Sequence, residues 1–320
     1  MTPHDEQTIL RWTAGQKTPA TILISRGAGE ADARLVQFCD RFKALSAQVR
    51  LRSASDEAFR APALIIGRHQ NIAYQAVPEG KELSPFLKAV GAADDASEPS
   101  PRRTAPSPRI ELPADLTLFI TLQCPHCPGA VEQLTALADA TRQLRLTIVD
   151  GELFAAQAAA HGIRSVPTLI LDDHLRWSGP INLAEVIDQC VRRDPALLSA
   201  ASLRQIIETG EAERLAAMMA ERGQIFPALV DLLVHERWSV RLGAMVTVEY
   251  LADASADLAD GFIAPLWERF AGLAEPVQVD VVQVLAQLKN DTVKQYLEKI
   301  ASADFSPSAR QAAAEELASW

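Results

Sequence analysis

Apolar and polar residues alternate in short runs between residues 18 and 90, with one longer stretch of helical spacing. Alternation at every second residue predicts a strand, and apolar residues three and four positions apart predict a helix. The predicted order is strand, helix, strand, two short strands and a closing helix. The predicted strands are Thr21–Ser25, Gln48–Arg52, Ala63–Gly67 and Asn71–Gln75, and the long helix lies between Glu30 and Leu45.

A second stretch, beyond residue 112, repeats this order. Its predicted strands are Leu116–Leu122, Leu144–Val149, Val166–Leu171 and Leu175–Ser178, and its helices are Cys127–Thr141, Leu153–Ala160 and Leu183–Val191. Residues 60–66 align with residues 165–171, which indicates a diverged tandem repeat. We expect an α/β fold with a mixed sheet and helices on both faces, because a hairpin-sized turn joins the last two strands of each repeat.

The rest of the chain has a different pattern. Residues 91–112 are rich in Ala, Ser, Asp and Pro and predict a linker. From residue 195 to residue 320 the strand signals stop and apolar residues recur at helical spacing. The segment 226–245 resembles a HEAT repeat, in which a Val–Arg pair, here Val240 and Arg241, opens the second helix. The sequence therefore predicts an all-helical, HEAT-like α-solenoid at residues 195–320.

These patterns predict three domains, at residues 1–90, 113–194 and 195–320, with the linker 91–112 between the first two. A length of 320 residues and a hydrophobic content of 48% suffice to give each of them a core.

Net charge and the first residues narrow the class of partner. The chain carries a net charge of −10, and residues 195–320 contribute −8 of it through 18 acidic and 10 basic side chains. Such an acidic surface argues against nucleic acid and anionic membranes as partners. Residues 1–10 lack the basic start and apolar core of a signal peptide, and no long apolar run follows, so we expect a cytoplasmic protein.

The chemically distinctive motif is Cys124-Pro125-His126-Cys127, between a predicted strand and a predicted helix. This setting places the first sulfur at a helix N-terminus, where free N–H groups and the helix dipole favour the thiolate. We therefore expect Cys124 to be the nucleophile. Cys127 lies one turn later on the same face and is expected to be the resolving thiol, and the less exposed of the two.

The two residues between the cysteines have separate expected roles. Pro125 fits the first helical turn, where its missing N–H loses no intrahelical partner. A cationic His126 beside Cys124 would stabilise the thiolate and make the disulfide a stronger oxidant. The alternative is that His126 is an ordinary solvated loop residue.

Pro167 stands at the start of a predicted strand, in Ser165-Val166-Pro167-Thr168. Together with the C-x-x-C motif, this resembles the thioredoxin superfamily. The resemblance implies a cis proline at Pro167 opposite the cysteines, and a Val166 backbone that binds the substrate chain.

Three segments resemble one member family more closely: Leu122–Pro128, Ile148–Phe154 and Val166–Thr168. They are similar to the N-terminal domain of the flavoprotein subunit of bacterial alkyl hydroperoxide reductase, and the similarity spans about residues 15–192. That resemblance implies two tandem thioredoxin-like folds, cysteines in the second only, and electron transfer to a peroxiredoxin. The first repeat has Arg26–Gly29 in place of the cysteines and is expected to be redox-inert.

Two departures limit what the resemblance implies. No G-x-G-x-x-G fingerprint follows a strand, so we expect no cofactor beyond the redox-active Cys124–Cys127 disulfide, and the protein needs an external reductase or oxidant. Thioredoxin carries a buried Asp six residues before its first cysteine, where this chain has Leu118. Proton transfer must therefore use another group, for which His126 and water are the candidates.

Other interpretations of the cysteines are weaker. A closed zinc site needs four ligands, and the sequence offers no second C-x-x-C or H-x-x-x-H, so we expect no metal. Cys39 and Cys190 lie among apolar residues and are expected to be buried and inert.

The sequence therefore predicts a protein-disulfide oxidoreductase that exchanges disulfides with protein dithiols or disulfides, with a peroxiredoxin as one candidate client. The helical domain is expected to dock a protein partner. The alternative is a redox-sensing adaptor, in which the helical repeats bind a partner and the cysteine pair tunes that binding.

Overall fold

Strands and helices alternate through residues Met1–Arg192, the first of two units into which the chain divides; the second is Arg193–Trp320. The computed structural model describes residues 1–54, 59–94 and 110–320. The strands of the first unit are β1 (Ala20–Ser25), β2 (Val49–Ser53), β3 (Ala63–Ile66), β4 (Ile72–Gln75), β5 (Ala114–Ile120), β6 (Leu144–Asp150), β7 (Thr168–Leu171) and β8 (Leu175–Ser178). The helices are α1 (Pro3–Gly15), α2 (Glu30–Leu45), α3 (Leu83–Asp94), α4 (Cys127–Asp139), α5 (Ala155–Ala160) and α6 (Leu183–Arg192).

The eight strands form one mixed sheet in the order β2-β1-β3-β4-β6-β5-β7-β8. In each half, a parallel pair (β1 with β2, β5 with β6) is followed by two antiparallel pairings that end in a hairpin. The halves join where β4 pairs in parallel with β6. Residues 1–94 and 110–192 therefore contribute four strands each with the same local connections.

The predicted strands of this unit occur within two residues of their predicted ends. One difference bears on the site: β7 begins at Thr168, so Val166 and Pro167 precede the strand and lie outside its ladder. Helix α1 was not predicted. It begins with a capping box, in which Thr2 and Asp5 satisfy each other's backbone N–H groups and Pro3 takes the first helical position.

The predicted linker at residues 91–112 begins too early, because α3 continues to Asp94. Apolar helical spacing in Leu83–Val90 carries the helix into this Ala-rich stretch, since alanine favours the helix interior. Residues 95–109 of the predicted linker lie outside the described residues.

Alternate residues of each strand enter two different cores, as the period of a strand requires. Leu116, Leu118 and Ile120 of β5 face the larger core with α1 to α4 and α6, whereas Phe119 faces a smaller core with α5. Both active-site cysteines belong to the larger core. The two cysteines thus lie on the face of the sheet that carries the larger core.

The second unit contains helices and turns but no strand over residues 193–320, all of which are described. Its helices are α7 (Ala200–Glu208), α8 (Ala212–Arg222), α9 (Ala228–Leu233), α10 (Trp238–Ala254), α11 (Ala256–Ala259), α12 (Ile263–Phe270), α13 (Glu275–Gln287), α14 (Asp291–Ser302) and α15 (Pro307–Ala318). The buried Arg241 of α10 pairs with Asp280 of α13 at 2.6 Å and donates to the carbonyl oxygens of His235 and Glu236. This network joins two helices through one side chain.

Within the described residues, every helix is too short or too polar to cross a lipid bilayer.

Candidate active site

The two cysteines lie where β5 gives way to α4. Cys124 is in the connecting loop and Cys127 is the first residue of the helix. The backbone N–H of Cys127 donates to Cys124 Sγ at 3.2 Å, and the N–H of Cys124 itself is satisfied by the carbonyl of Thr121. The first sulfur therefore sits at the N-terminus of α4, as the sequence predicts, and accepts one of the N–H groups that the helix leaves free.

The two thiols differ in exposure and in environment. Cys124 is 8% exposed and Cys127 is fully buried, so Cys127 is the less exposed thiol, as predicted. Burial raises the pKa of Cys127, and its contact with Cys124 and the charge of Glu82 raise it further. Cys127 therefore needs a proton acceptor before it can act as a nucleophile.

The segment before β7 closes the other side of the site. Antiparallel pairing of β5 with β7 brings Val166 and Pro167 opposite the cysteine loop, and the Val166–Pro167 peptide bond is cis. The Cys124 thiol points to the carbonyl oxygen of Val166, 3.8 Å away. The structure thus brings Cys124, Cys127, Val166 and Pro167 together. The backbone carbonyl group of Val166 lies beside the Cys124 sulfur.

Pro125 and His126 lie at the exposed rim of the site. His126 occupies the N-cap position of α4, but its side chain makes no capping hydrogen bond. Its predicted role in stabilising the thiolate stays a prediction.

Sequence reasoning missed one residue of the site, Glu82. It ends a short 3₁₀ turn, Gly80–Glu82, that leads into α3 in the first half of the unit. Its side chain is only 1% exposed, and neither carboxyl oxygen has a hydrogen-bond partner among the described residues. Burial raises its pKa to about 7, and the nearby carboxylate of Asp150 adds to the shift. A carboxyl group that titrates near neutrality therefore lies close to Cys127.

The Glu82 turn is fixed from two sides. The backbone N–H of Gly80 donates to the buried carboxylate of Asp5 at 3.1 Å, so the cap of α1 also holds this turn. On the other side, the Lys81 ammonium approaches the carbonyl oxygen of Gln123, which directly precedes Cys124, at 3.4 Å. A side chain of the first half thus contacts the loop of the second half that contains Cys124.

Two contacts set the position of α4 against the first half. Lys88 of α3 pairs with Glu132 of α4 at 2.8 Å on the surface. Beneath them, the buried Asn71 amide nitrogen donates to three carbonyl oxygens around the end of α4, those of Ala138, Thr141 and Leu144. These hydrogen bonds of the buried amide nitrogen join the first half to the end of α4.

The corresponding loop of the first half contains no thiol. Arg26 pairs there with Asp32, which also accepts the N–H of Gly27, and the Ala61–Pro62 peptide bond is cis. Gly27 packs directly on Pro62, since a Cβ at this position would lie 2.8 Å from the proline ring. The loop therefore packs against Pro62 with no room for a side chain at residue 27.

Neither remaining cysteine adds to the site. Cys39 and Cys190 are both buried, and burial raises the pKa of Cys39 to about 12. Among the described residues, no group of three or more His, Cys, Asp or Glu side chains is arranged to hold a metal ion.

The Glu82 pKa leads to a prediction about stability. Folding raises this pKa from 4.5 to about 7, so the stability that proton binding provides is fully present below pH 4.5 and is lost as the pH rises through 7. The shift corresponds to a loss on the order of 3 kcal/mol by pH 8. We expect Glu82→Gln to unfold at a higher urea concentration than the parent protein at pH 8 and at nearly the same concentration at pH 5. Glu132→Gln is the surface control, and a variant less stable than the parent at pH 8 would contradict the burial of an ionised Glu82.

Known proteins were found that are similar to this chain in sequence. Residues 115–192 match the thioredoxin domain family. The chain is 22% identical over 172 residues to an NADH dehydrogenase of Bacillus subtilis, and 22% identical over 174 residues to the F subunit of the alkyl hydroperoxide reductase of Xanthomonas campestris. Each alignment covers 52% of this chain and 33% of the relative, so the chain spans about a third of the length of these relatives.

Two solved structures are similar over the first unit. One is the NTD_N/C domain of alkylhydroperoxide reductase AhpF from Enterococcus faecalis, with a TM-score of 0.50 and 20% identity, covering 59% of this chain and 99% of that one. The other is a protein disulfide oxidoreductase from Aeropyrum pernix, with a TM-score of 0.51 and 16% identity, covering 62% and 96%. At these identities the likeness concerns the fold. The chain is therefore similar in fold to both structures, and its residues 115–192 match the thioredoxin domain family.

Proposed function

We propose that this protein is a thiol–disulfide oxidoreductase that exchanges disulfides with protein substrates through Cys124 and Cys127. One observation carries the proposal: the Cys124 sulfur lies between the N–H of Cys127 and the carbonyl oxygen of Val166. The first contact favours negative charge on the sulfur, and the second places beside it the backbone of Val166, which lies outside the β7 ladder and is available to a substrate chain.

The reaction proceeds in two exchanges. The Cys124 thiolate attacks one sulfur of a client disulfide, a mixed disulfide forms, and the other client sulfur leaves as a thiolate that takes up a proton. Cys127 then gives its proton to Glu82 and attacks Cys124 Sγ, which forms the Cys124–Cys127 disulfide and releases the second client thiolate. This thiolate takes up a proton as well, and Glu82 returns its proton and is ionised again. The client gains two electrons and two protons. An external dithiol or reductase must return two electrons to the pair.

Glu82 takes the place of the two groups that the sequence left as candidates for proton transfer. His126 is exposed at the rim, whereas Glu82 is buried close to Cys127 and has a pKa near 7. An acceptor with a pKa near the working pH is partly ionised and can both accept and release a proton. The proton acceptor, Glu82, therefore comes from the first half of the unit, and the two thiols come from the second half.

The fold supports a finer description of both units. The two four-strand halves of the first unit share one set of strand connections and a cis proline each, which supports two tandem thioredoxin-like folds. The buried Arg241 of the Val–Arg pair, which joins α10 to α13, supports a HEAT-like solenoid in the second unit. We propose that the second unit docks a protein partner.

The direction of transfer and the client extend the same proposal. We propose that the protein acts as a disulfide reductase in the cytoplasm, with a peroxiredoxin as one client, because two of its relatives are named for alkyl hydroperoxide reduction. A redox-sensing adaptor is the second candidate. It is favoured by the apolar side chains that α10 exposes, of which Trp238 is 59% exposed and Leu242 and Tyr250 are also exposed.

A redox titration tests the proposal and separates the two candidates. We expect the Cys39→Ala/Cys190→Ala variant to show one reversible two-electron couple in a graded series of thiol and disulfide buffers. A potential near that of thioredoxin, about −270 mV, supports a reductase, whereas one near about −120 mV supports an oxidant and contradicts the proposed direction. The absence of a reversible couple would leave the adaptor as the better account.

A further inference from the structure

Tyr74 presents a buried hydroxyl group without a partner. The residue is on β4, near the middle of the eight-stranded sheet, and none of its surface is exposed. Its hydroxyl oxygen makes no hydrogen bond among the described residues. Buried hydroxyl groups of this kind are uncommon in folded proteins, because the desolvation cost is not repaid. We therefore expect a polar group near the ring to interact with this hydroxyl.

Glu82 is the polar group that the structure offers to the Tyr74 hydroxyl. The Tyr74 ring packs edge-on against Phe86, with the ring centroids 5.1 Å apart, and Phe86 follows Glu82 by one helical turn, on the same face. The electrostatic influence of Glu82 is also felt at the phenol, whose pKa is raised by burial and further by the charge on Glu82. Two buried groups whose oxygens have no hydrogen-bond partner among the described residues thus belong to the same region of the first unit and interact electrostatically.

Their hydrogen-bonding capacities are complementary. An ionised carboxylate only accepts hydrogen bonds, and a phenol at neutral pH can donate one. The other groups that face Glu82 do not supply such a donor: Asp150 at the end of β6 adds negative charge, and Cys127 on α4 is the proton source. Lys81, its neighbour in the turn, directs its ammonium to the carbonyl oxygen of Gln123. Tyr74 is therefore the neutral donor best placed to stabilise Glu82 when it is charged.

We propose that the Tyr74 hydroxyl supports ionised Glu82 through one bridging water molecule, to which the phenol donates and which donates to the carboxylate, and so keeps Glu82 able to accept the Cys127 proton near neutral pH. This inference rests on the proposed function for its consequence, but not for the bond itself. Tyr74 is a positioning residue in this account, since it acts on Glu82 and not on the reacting sulfur atoms. When Glu82 takes up the proton, the bond weakens, which favours passing that proton on.

Tyr74→Phe tests the bond, because it removes one oxygen atom and keeps the ring that packs on Phe86. We expect the titration midpoint of Glu82 in the reduced protein to rise by about one pH unit, a tenfold weaker preference for the ionised form. The midpoint is followed by the infrared absorption of the protonated carboxyl group, identified by its disappearance in Glu82→Gln. Tyr296→Phe, in the second unit, is the matched control and should leave the midpoint unchanged.

The pH profile of the resolving step provides a second readout. Tyr74→Phe should shift this profile upward by the same amount as the infrared midpoint, and should have no further effect in a Glu82→Gln background. A folded Tyr74→Phe protein whose Glu82 midpoint is unchanged or lower would overturn the proposal. If that variant fails to fold, 3-fluorotyrosine at the three tyrosines supplies a more acidic donor. It should lower the midpoint, and an unchanged midpoint would again overturn the bond.

The two proposals fail in different ways. If the midpoint shifts as expected but the protein exchanges no disulfides, the hydrogen bond stands and the proposed function does not. If exchange proceeds and the midpoint does not move, the function stands and the role of Tyr74 does not.

Discussion

We expect the replacement of Cys124 with serine to reduce the rate of protein-disulfide reduction to that of the uncatalysed reaction. No other thiol of the chain is both reactive and placed beside the Val166 backbone. Cys127 is fully buried and its pKa is raised, so it cannot take over the first attack. Removal of a catalytic nucleophile leaves only the background rate, a loss expected to exceed about 10³-fold. The measurement is the reduction of insulin disulfides with dithiothreitol as the electron source.

The matched control is Cys39→Ser, which replaces another buried thiol in the same unit and should retain most of the parent activity. It also tests whether loss of a thiol as such is harmful, since Cys39 packs in the larger core with Phe38 and Phe42. Full activity in Cys124→Ser would be incompatible with the mechanism, whatever the behaviour of the other cysteine variants.

Glu82→Gln slows the resolving step by about 10²-fold at pH 7.5, which is the low end of the usual contribution of a general base. The wild-type rate should rise with pH through about 7, since Glu82 must be ionised to accept the proton. In the variant this inflection should vanish, and the rate should continue to rise at higher pH, because the Cys127 thiol then loses its proton directly to solvent.

Two effects of this substitution oppose each other. The charge of Glu82 itself raises the pKa of Cys127, so its removal makes the thiolate easier to form. Burial is the largest cause of that raised pKa, however, and it is unchanged in the variant. The loss of the acceptor should therefore dominate. Rapid acid quenching followed by alkylation and mass analysis gives the rate.

Glu132→Gln is the control for this experiment, because it removes an exposed carboxylate of α4 and should change the rate less than twofold. A Glu82→Gln protein that resolves its mixed disulfide at the parent rate, with the inflection near pH 7 intact, would remove Glu82 from the mechanism.

The sequence was sufficient for those parts of the site that depend on local pattern. The alternation of apolar residues predicted β5, and the C-x-x-C motif at its end predicted a helix that begins at Cys127, as found. Val166 and Pro167 were predicted from the resemblance to the thioredoxin superfamily, which rests in part on a proline at the start of a predicted strand. The structure places them just before β7 rather than within it.

Glu82 and Tyr74 could not be predicted in the same way. Glu82 stands in a polar turn, Glu79-Gly80-Lys81-Glu82, whose sequence is that of an exposed loop. Its burial comes from α4, which lies more than forty residues later in the chain. Tyr74 fits the alternation of β4 like any core aromatic residue, and its hydroxyl matters only because a carboxylate from another element interacts with it. The role of Glu82 arises from the packing of the first half on the second, and the role of Tyr74 depends on Glu82 within the first half.

Helix α1 shows a case in which a local signal was present. Its only fully buried apolar residue is Ile9, so the helical spacing is weak, but Thr2 and Asp5 have the spacing of a capping box. The same Asp5 accepts the N–H of Gly80 and so links the start of the chain to the Glu82 turn. That second contact is between residues 75 positions apart, which no local pattern indicates.

The central claim, that Cys124 exchanges disulfides with protein clients, is tested most directly by trapping the intermediate in Cys127→Ser. Mixed with a disulfide-bonded protein, this variant should form a covalent complex that dithiothreitol separates by reduction. Peptide mapping should locate the mixed disulfide at Cys124. The Cys124→Ser protein should form none. A complex bonded through Cys39 or Cys190, or no complex under conditions in which the wild-type pair becomes oxidised, would contradict the account.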